Sequence, residues 1–246
     1  MELVEFLGAL LFTVLLADLV SGLVHWWEDA YARTGDGLLG RVARDNLRHH
    51  ARPREFLAKG YWDSSWDLLL LGALVVAIAF ALDALSRHVA LLVLLVANAN
   101  QVHKWAHMRA EELPRVVHWA QRTQVLQTTR HHAKHHQGAR NTHYCVLTSL
   151  LNPVLEELQL WVRLERVIER LTGIPRRDDE AELARMGLAT RAAPRIDFCV
   201  RLTQALLRSV TSRPARALPS ACYPGCFTSH CRMGLVEQVT VPFGCF

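Results

Sequence analysis

The run Arg130-His131-His132-Ala133-Lys134-His135-His136 packs four histidines in the pattern HHxxHH. Residues four apart on a helix share a face, about 6 Å apart along the axis, so a helix here stacks His131 on His135 and His132 on His136. Four imidazoles so arranged form a metal-binding surface. A packed core has no use for them, because each carries an N–H and a bare ring nitrogen that need partners once buried. Other histidines suit the same chemistry. His103 and His107 form an HxxxH pair, with both ligands on one helical face. Lys104 and Trp105 stand between them and supply no base, so this is not the HExxH motif of zinc proteases. His25 and Asp29 form an HxxxD pair. His49 and His50 are adjacent and point in different directions on any regular element, so one can bind metal while the other orients an outer group. Asp18 lies seven residues before His25, nearly on the same face, and is expected to look towards the site. These donors exceed what one ion needs, and imidazole suits zinc, copper, iron and nickel, so ligand type alone does not name the metal.

The elements that must position these donors are apolar. The chain has 246 residues, 51% of them hydrophobic, with mean hydropathy +0.10 and net charge +5. Residues 3–24 are long enough and apolar enough to cross a bilayer core of roughly 30 Å as a helix. Glu2 and Glu5, with no Lys or Arg, replace the basic start of a signal peptide, so the segment reads as a retained span. A second apolar block, Leu68 to Val102, is too long for one span and is broken at Asp83 and Ser86-Arg87-His88, which predicts a helical hairpin. Residues 25–66 and 103–140 each hold seven Lys and Arg, whereas the hairpin turn holds only Arg87. Positive flanks stay in the cytoplasm, so three crossings from an outside N-terminus put both basic segments, and every clustered histidine, on the cytoplasmic face. His88 is left alone on the far side. The expected architecture is all-α, an integral, multi-pass membrane bundle with a histidine-rich metal site at its cytoplasmic face.

Several residues keep two readings. Asn98 and Asn100 either bond the outer nitrogens of ligands or soften the end of an apolar helix. His118 and His143 are lone histidines, each either hydrogen-bonded or exposed. Cys145 reads as packing. Asn152-Pro153 is expected to start a helix with Asn152 as its cap. Its apolar stripe runs from Val154 through Trp161 to Leu171, opposite Arg163, Arg166 and Arg170, and ends at Gly173 and Pro175. This helix either lies on the membrane surface or packs back onto the bundle. From about residue 187 the character changes. Cys199, Cys222, Cys226, Cys231 and Cys245 fall there, as do five of the nine prolines. Without paired CxxC spacing, residues 187–246 read as a poorly ordered extension to a domain of residues 1–186.

Neutral ligands at the mouth of a hydrophobic bundle place a metal pair where a lipid chain enters sideways. Iron with O2 attacks an unactivated C–H bond, a task no side chain performs. The series SGLVHWWEDAY, LRHH, NQVHKWAHM, RHHAKHHQGARNTHYC and SLLNPVLEEL resembles the Kua, or plasmanylethanolamine desaturase, family of membrane lipid desaturases, which also includes a plastid trans-3 desaturase of palmitoyl-phosphatidylglycerol. The likeness covers about residues 15–185. It implies a di-iron centre of two Fe ions held by His25, Asp29, His49, His50, His103, His107, His131, His132, His135 and His136. It also implies a phospholipid substrate and O2, with desaturation of an alkyl ether phospholipid to a vinyl ether as the leading activity. Acyl-phosphatidylglycerol desaturation and lipid hydroxylation are the alternatives. No flavin or nucleotide fingerprint is present, so electrons come from an external donor such as cytochrome b5 or ferredoxin; nucleic acid is not an expected partner. The family's GWLN stretch is Ser149-Leu150-Leu151-Asn152 here, a departure that bears on substrate preference rather than on chemistry. A histidine-rich metal transporter is the competing class, but it would hold ligands near mid-membrane, whereas these flank the spans.

Overall fold

Apolar side chains cover the outside of the longest helices. The computed structural model describes residues 2–138 and 140–188 of the chain, and among them there are helices, turns and loops but no strand. Helix α1 (Leu3–Ala30) and helix α3 (Tyr61–Ala81) are each long and apolar enough to cross a membrane. Their exposed residues include Leu7, Leu11 and Phe12 on α1 and Leu74, Ile78 and Phe80 on α3. Surfaces of this composition suit lipid rather than water. Helix α4 (Arg87–Ala97) is apolar but shorter, and packs against both. A Cβ on Gly72 would meet Val93 Cγ1 at 3.0 Å, so the glycine lets α3 and α4 approach closely.

The hairpin expected over residues 68–102 forms, with its turn at residues 82–86 and Ser86 capping α4 by accepting from Val89 N–H. Its second arm is divided. The chain turns at Asn98, and helix α5 (Ala99–Ala106) carries the HxxxH pair. Between the first and second long helices lies α2 (Gly37–Ala51), which presents His49 and His50. Gly40 lies inside α2, where the absence of a Cβ lets the Gly35 carbonyl approach closely. Helices α6 (Arg115–Arg122) and α7 (Thr129–His132) follow, then α8 (Leu151–Glu157), α9 (Leu160–Thr172) and α10 (Asp179–Arg185).

The expected helix after Asn152 is two helices, because Gln159 adopts φ +49° between α8 and α9. Asn152 is not its cap. It lies inside α8, where its side chain accepts from Cys145 N–H and donates to Cys145 C=O. Gly173 ends α9 at φ +69°, the left-handed stop the sequence announces. Trp161 is buried and Leu164 and Ile168 pack on the core, so α9 packs back onto the bundle by this edge. The cysteine- and proline-rich extension lies outside the described residues.

Residues 144–148 run without secondary structure through the buried interior, against α1. Backbone of this kind survives in a dry interior only if its polar groups are satisfied by the protein itself. Asp18 Oδ1 accepts from Leu147 N–H at 2.9 Å and Thr148 N–H at 3.2 Å, and Asp18 Oδ2 takes the Thr148 hydroxyl at 2.5 Å. Ser21 Oγ accepts from Val146 N–H, and Gln127 donates to Cys145 C=O. Asp18 therefore turns to this strap and not to the histidines, which corrects the expectation from its helical phase. Truncating Asp18 to Ala leaves two buried N–H groups without an acceptor, at about 1–3 kcal/mol each. Denaturation of the purified variant should show a loss of several kcal/mol, and a loss below about 1 kcal/mol would remove the strap's dependence on this residue.

Candidate metal centre

Two groups of side chains bring their donor atoms together at the ends of these helices. His49, His103, His107, His132 and His136 form one group, and His25, Asp29, His50 and His135 form the other. Within each group the donor atoms all lie within 4.8 Å of one another. The elements explain the convergence. His25 and Asp29 share one face of α1, His103 and His107 one face of α5, and the C-terminal turn of α2 sends its two adjacent histidines to different groups. Each group thus draws on three separate stretches of chain.

The HHxxHH run does not form the two stacked columns expected of a helix. Helix α7 ends at His132, and the next hydrogen bonds, from Lys134 to His131 and from His135 to His132, span three residues rather than four. This tighter winding rotates the later pair. His132 and His136 still meet, Nε2 to Nε2 at 3.0 Å, but His135 swings to the second group and His131 turns away. His131 Nε2 instead faces Asn152 Nδ2 at 3.1 Å, with the His143 ring 5.2 Å off. Nine of the ten donors expected from sequence are therefore brought together, and His131 is the exception.

The contacts inside the groups are those of ligands around a common centre. His103 Nε2 stands 2.8 Å from His132 Nε2, and His107 Nε2 stands 3.2 Å from both His49 Nε2 and His103 Nε2. A neutral imidazole has one N–H, so five ring nitrogens crowded together cannot all pair as donor and acceptor. In the second group, His50 Nε2 and His135 Nε2 lie 3.2 and 3.3 Å from the Asp29 oxygens, yet neither oxygen has hydrogen-bond geometry, and His25 Nε2 is also buried without a partner. A cation at the middle of each group satisfies all these lone pairs at once.

Outer contacts set the tautomers of two rings. His25 Nδ1 donates to Tyr144 C=O at 3.1 Å and His135 Nδ1 to Thr142 C=O at 2.7 Å, which leaves each Nε2 bare and directed inwards. Asn98 and Asn100 do not contact ligands. Asn98 pairs with Tyr61 and Leu94, and Asn100 with Ser64, so they finish the apolar helix. His118 donates to Ala110 C=O near the surface, and His88 meets Thr13 at the other end of the bundle. Burial, reinforced by neighbouring imidazoles, holds His49 and His132 well below the ordinary imidazole range and brings His107 down to about 3. These three rings are neutral at physiological pH, the form that binds a metal.

The family model for the lipid desaturase domain matches residues 14–179, a stretch that contains both groups. The chain belongs to the lipid desaturase family. It is 29% identical over 224 residues to a plasmanylethanolamine desaturase of Myxococcus xanthus, an alignment covering 87% of this chain and 79% of that one. It is 32% identical over 179 residues to plasmanylethanolamine desaturase 1 of Mus musculus, covering 67% and 66%. It is also 29% identical over 165 residues to a chloroplastic fatty acid desaturase 4-like protein of Arabidopsis thaliana, covering 65% and 58%. No solved structure matches. The protein is thus an oxidoreductase acting on a lipid with O2.

Sequence reasoning missed the groups that hold these donor side chains in place. Arg177 is buried and ties the end of α1, donating through its guanidinium to Glu28 C=O and Ala32 C=O and through its backbone N–H to Ala30 C=O. Arg176 bridges Glu165 and the Tyr144 hydroxyl. The signal was the adjacent pair Arg176-Arg177 just after the Gly173 and Pro175 stop, which reads equally well as a solvated loop. The depressed imidazoles give a pH prediction. The unfolded chain takes up protons near 6.5, the ordinary imidazole value, while His49, His107 and His132 in the folded chain refuse them. Through these rings, the thermal stability of the metal-free protein should fall as the pH drops below that value. A stability that rises on acidification would contradict the buried, neutral histidines.

Proposed function

We propose that the protein is a di-iron, O2-dependent membrane lipid desaturase that converts an alkyl ether phospholipid into a vinyl ether. The observation that carries this reading is the meeting of two separate donor groups, five histidines and three histidines with one aspartate, at the foot of apolar helices. Iron bound there would supply, with O2, the power to take hydrogen from an unactivated C–H bond. The lipid gives up two adjacent hydrogens, and O2 is reduced to two waters with two electrons from a carrier protein and two protons. Eight of the nine donors are neutral imidazoles, and Asp29 is the one carboxylate. The Tyr144 and Thr142 carbonyls hold His25 and His135 in the ligating tautomer. Close packing around Asp29 and His135, both fully buried, excludes bulk water.

Orientation follows the charge pattern: three crossings, by α1, by α3 and by the second hairpin arm made of α4 and the start of α5, with the histidines facing the cytoplasm. That face suits an external electron donor such as cytochrome b5 or ferredoxin. The ether substrate is favoured by the names of the bacterial and mouse relatives, and acyl desaturation by the name of the chloroplastic one. The two are separated chemically. Mild acid releases a long-chain aldehyde from a vinyl ether and leaves an acyl double bond intact. A host fed alkylglycerol and expressing the chain should yield acid-released aldehyde; new unsaturated acyl chains with unchanged ether lipids would shift the substrate to the acyl class. Oxygenated lipid in place of either would mean hydroxylation.

Metal content tests the donor set. Protein purified under anaerobic care should carry about two iron ions per chain, since the donors exceed one coordination sphere. His103→Ala or His135→Ala should each reduce bound iron and lower activity by at least the roughly 100-fold upper end typical of residues that merely orient ligands. His131→Ala should retain both ions. Stoichiometric zinc without iron would overturn the oxygenase reading.

A further inference from the structure

The two donor groups differ in how far they lie from solvent. All members of the second group are buried, whereas His107 and His136 of the first are only half-buried. The first group is the one that reaches the surface. Each stretch of chain that builds it carries an exposed cation within two residues of a ligand: Arg48 beside His49, Arg109 after His107, and Arg130 and Lys134 on either side of His132. None of the four has an ion-pair partner among the described residues. Thr129 Oγ1 donates to Met108 C=O at 3.2 Å, which brings the Arg109 and Arg130 stretches together. Carboxylates hardly offset these charges. Within residues 40–61, 95–115 and 126–149, Asp45, Glu55 and Glu112 are each taken by another cation, which leaves Glu111 alone. Helix α1, which serves only the second group, has no Lys or Arg.

This basic rim is also bare of apolar side chains. Among the described residues, no exposed large hydrophobic one falls within 40–61, 95–115 or 126–149. The apolar openings lie elsewhere. A groove of about 460 Å³ between α1, α2 and α3 is lined by Leu23, Leu38, Leu39 and Leu70, and Glu28 and Asp67 mark where it meets a polar chamber of about 70 Å³ beside the donor groups. Leu38 and Leu39 belong to the first turn of α2 and Arg48 to its last, roughly 15 Å further along the axis. A bilayer contact needs an apolar surface, and so does a tight, dry protein interface. A charged rim without one suits brief, electrostatically steered encounters with an acidic protein.

We propose that the rim of Arg48, Arg109, Arg130 and Lys134 is the docking surface for an acidic one-electron carrier protein, and that electrons enter by the first group, past His107 and His136. This inference rests on the lipid-desaturase reading of the same centre, whose reaction consumes two electrons. Two carrier molecules, each oxidised by one electron, supply them in succession. Brief docking is what that succession needs, because the first carrier must leave the rim before the second arrives. The groove at the other end of α2 stays open while a carrier is seated.

The test uses the full chain in detergent, iron-loaded and metal-free. Two acidic probes, a soluble ferredoxin and the soluble haem domain of cytochrome b5, are titrated against it without turnover, with the basic carrier cytochrome c as control. At least one acidic probe should bind both forms of the protein, more weakly as salt rises, and cytochrome c should not. Combining Arg48→Glu, Arg109→Glu, Arg130→Glu and Lys134→Glu should weaken that binding about tenfold or more, and raise the carrier's KM rather than lower kcat. If the reversed protein does not load iron, Gln at the same four positions replaces it. Combining Arg163→Glu, Arg166→Glu and Arg170→Glu on α9 should change neither quantity, which separates the rim from the net charge of +5. Carrier binding that survives the rim substitutions, or falls equally with those on α9, overturns the docking surface. So does binding of neither acidic probe, or tighter binding of cytochrome c. Phosphatidylglycerol micelles that displace the carrier and lose their own binding with the same four substitutions would make the rim a lipid surface instead. Dithionite, a reductant that needs no docking, separates the two readings. Rim-dependent carrier binding with no lipid dehydrogenated by either reductant keeps the rim and removes the desaturase reading; dithionite-driven dehydrogenation with rim-independent binding does the reverse.

Discussion

A stretch of backbone with no secondary structure, residues 144–148, passes through the interior of a bundle whose outside is apolar. Its polar groups need partners, and α1 supplies several of them from one face: Asp18, Ser21 and His25. Gln127 and Asn152 supply others. This accounting decides more than local stability. By occupying the carbonyl of Tyr144, His25 is fixed in the tautomer that aims a bare nitrogen at Asp29. Just before the strap, the Thr142 carbonyl takes His135 Nδ1 and so helps to hold His135 in place.

The convergence of nine donor atoms is itself unfavourable without a cation, since most of the contacts bring lone pairs towards lone pairs. The fold tolerates this because the donors come from rigid helix ends that are held by contacts elsewhere. Arg177 closes the end of α1, Asn98 and Asn100 pin α5 to α3, and Lys104 reaches the Lys59 carbonyl from the same helix. The donor groups are prepared by their surroundings, so a metal bound there would need little rearrangement.

Polarity is sorted by depth in this chain. Exposed positions of α1 and α3 carry Leu, Phe and Ile, whereas the carboxylates Asp18, Glu28, Asp29 and Asp67 all face inwards or line a cavity. Their tasks differ although their residue type is shared. Asp18 holds backbone, Asp29 faces three imidazoles, and Glu28 and Asp67 stand where the polar chamber meets the apolar groove. Neighbours in space, not helical phase, separate these roles.

The all-helical class, the two long apolar helices, the hairpin turn near Asp83 and the HxxxD, HH, HxxxH and HHxxHH sets were all legible in the sequence, because hydrophobic period and ligand spacing are local properties. The family could be read from the same sets for the same reason. What remained hidden was long-range. Asp18 shares the helical phase of His25 and Asp29, yet it turns to a strap more than a hundred residues away. Asn152 looks like a helix cap, yet it serves Cys145 and His131. The HHxxHH run satisfies an α-helical pattern, yet its winding tightens after His132, which sends His135 to one group, His136 to the other and His131 to neither. A sequence states which donors exist and which can share a face. Only the tertiary structure decides which donors meet, because in a dry interior each polar group goes to the partner that packing leaves within reach.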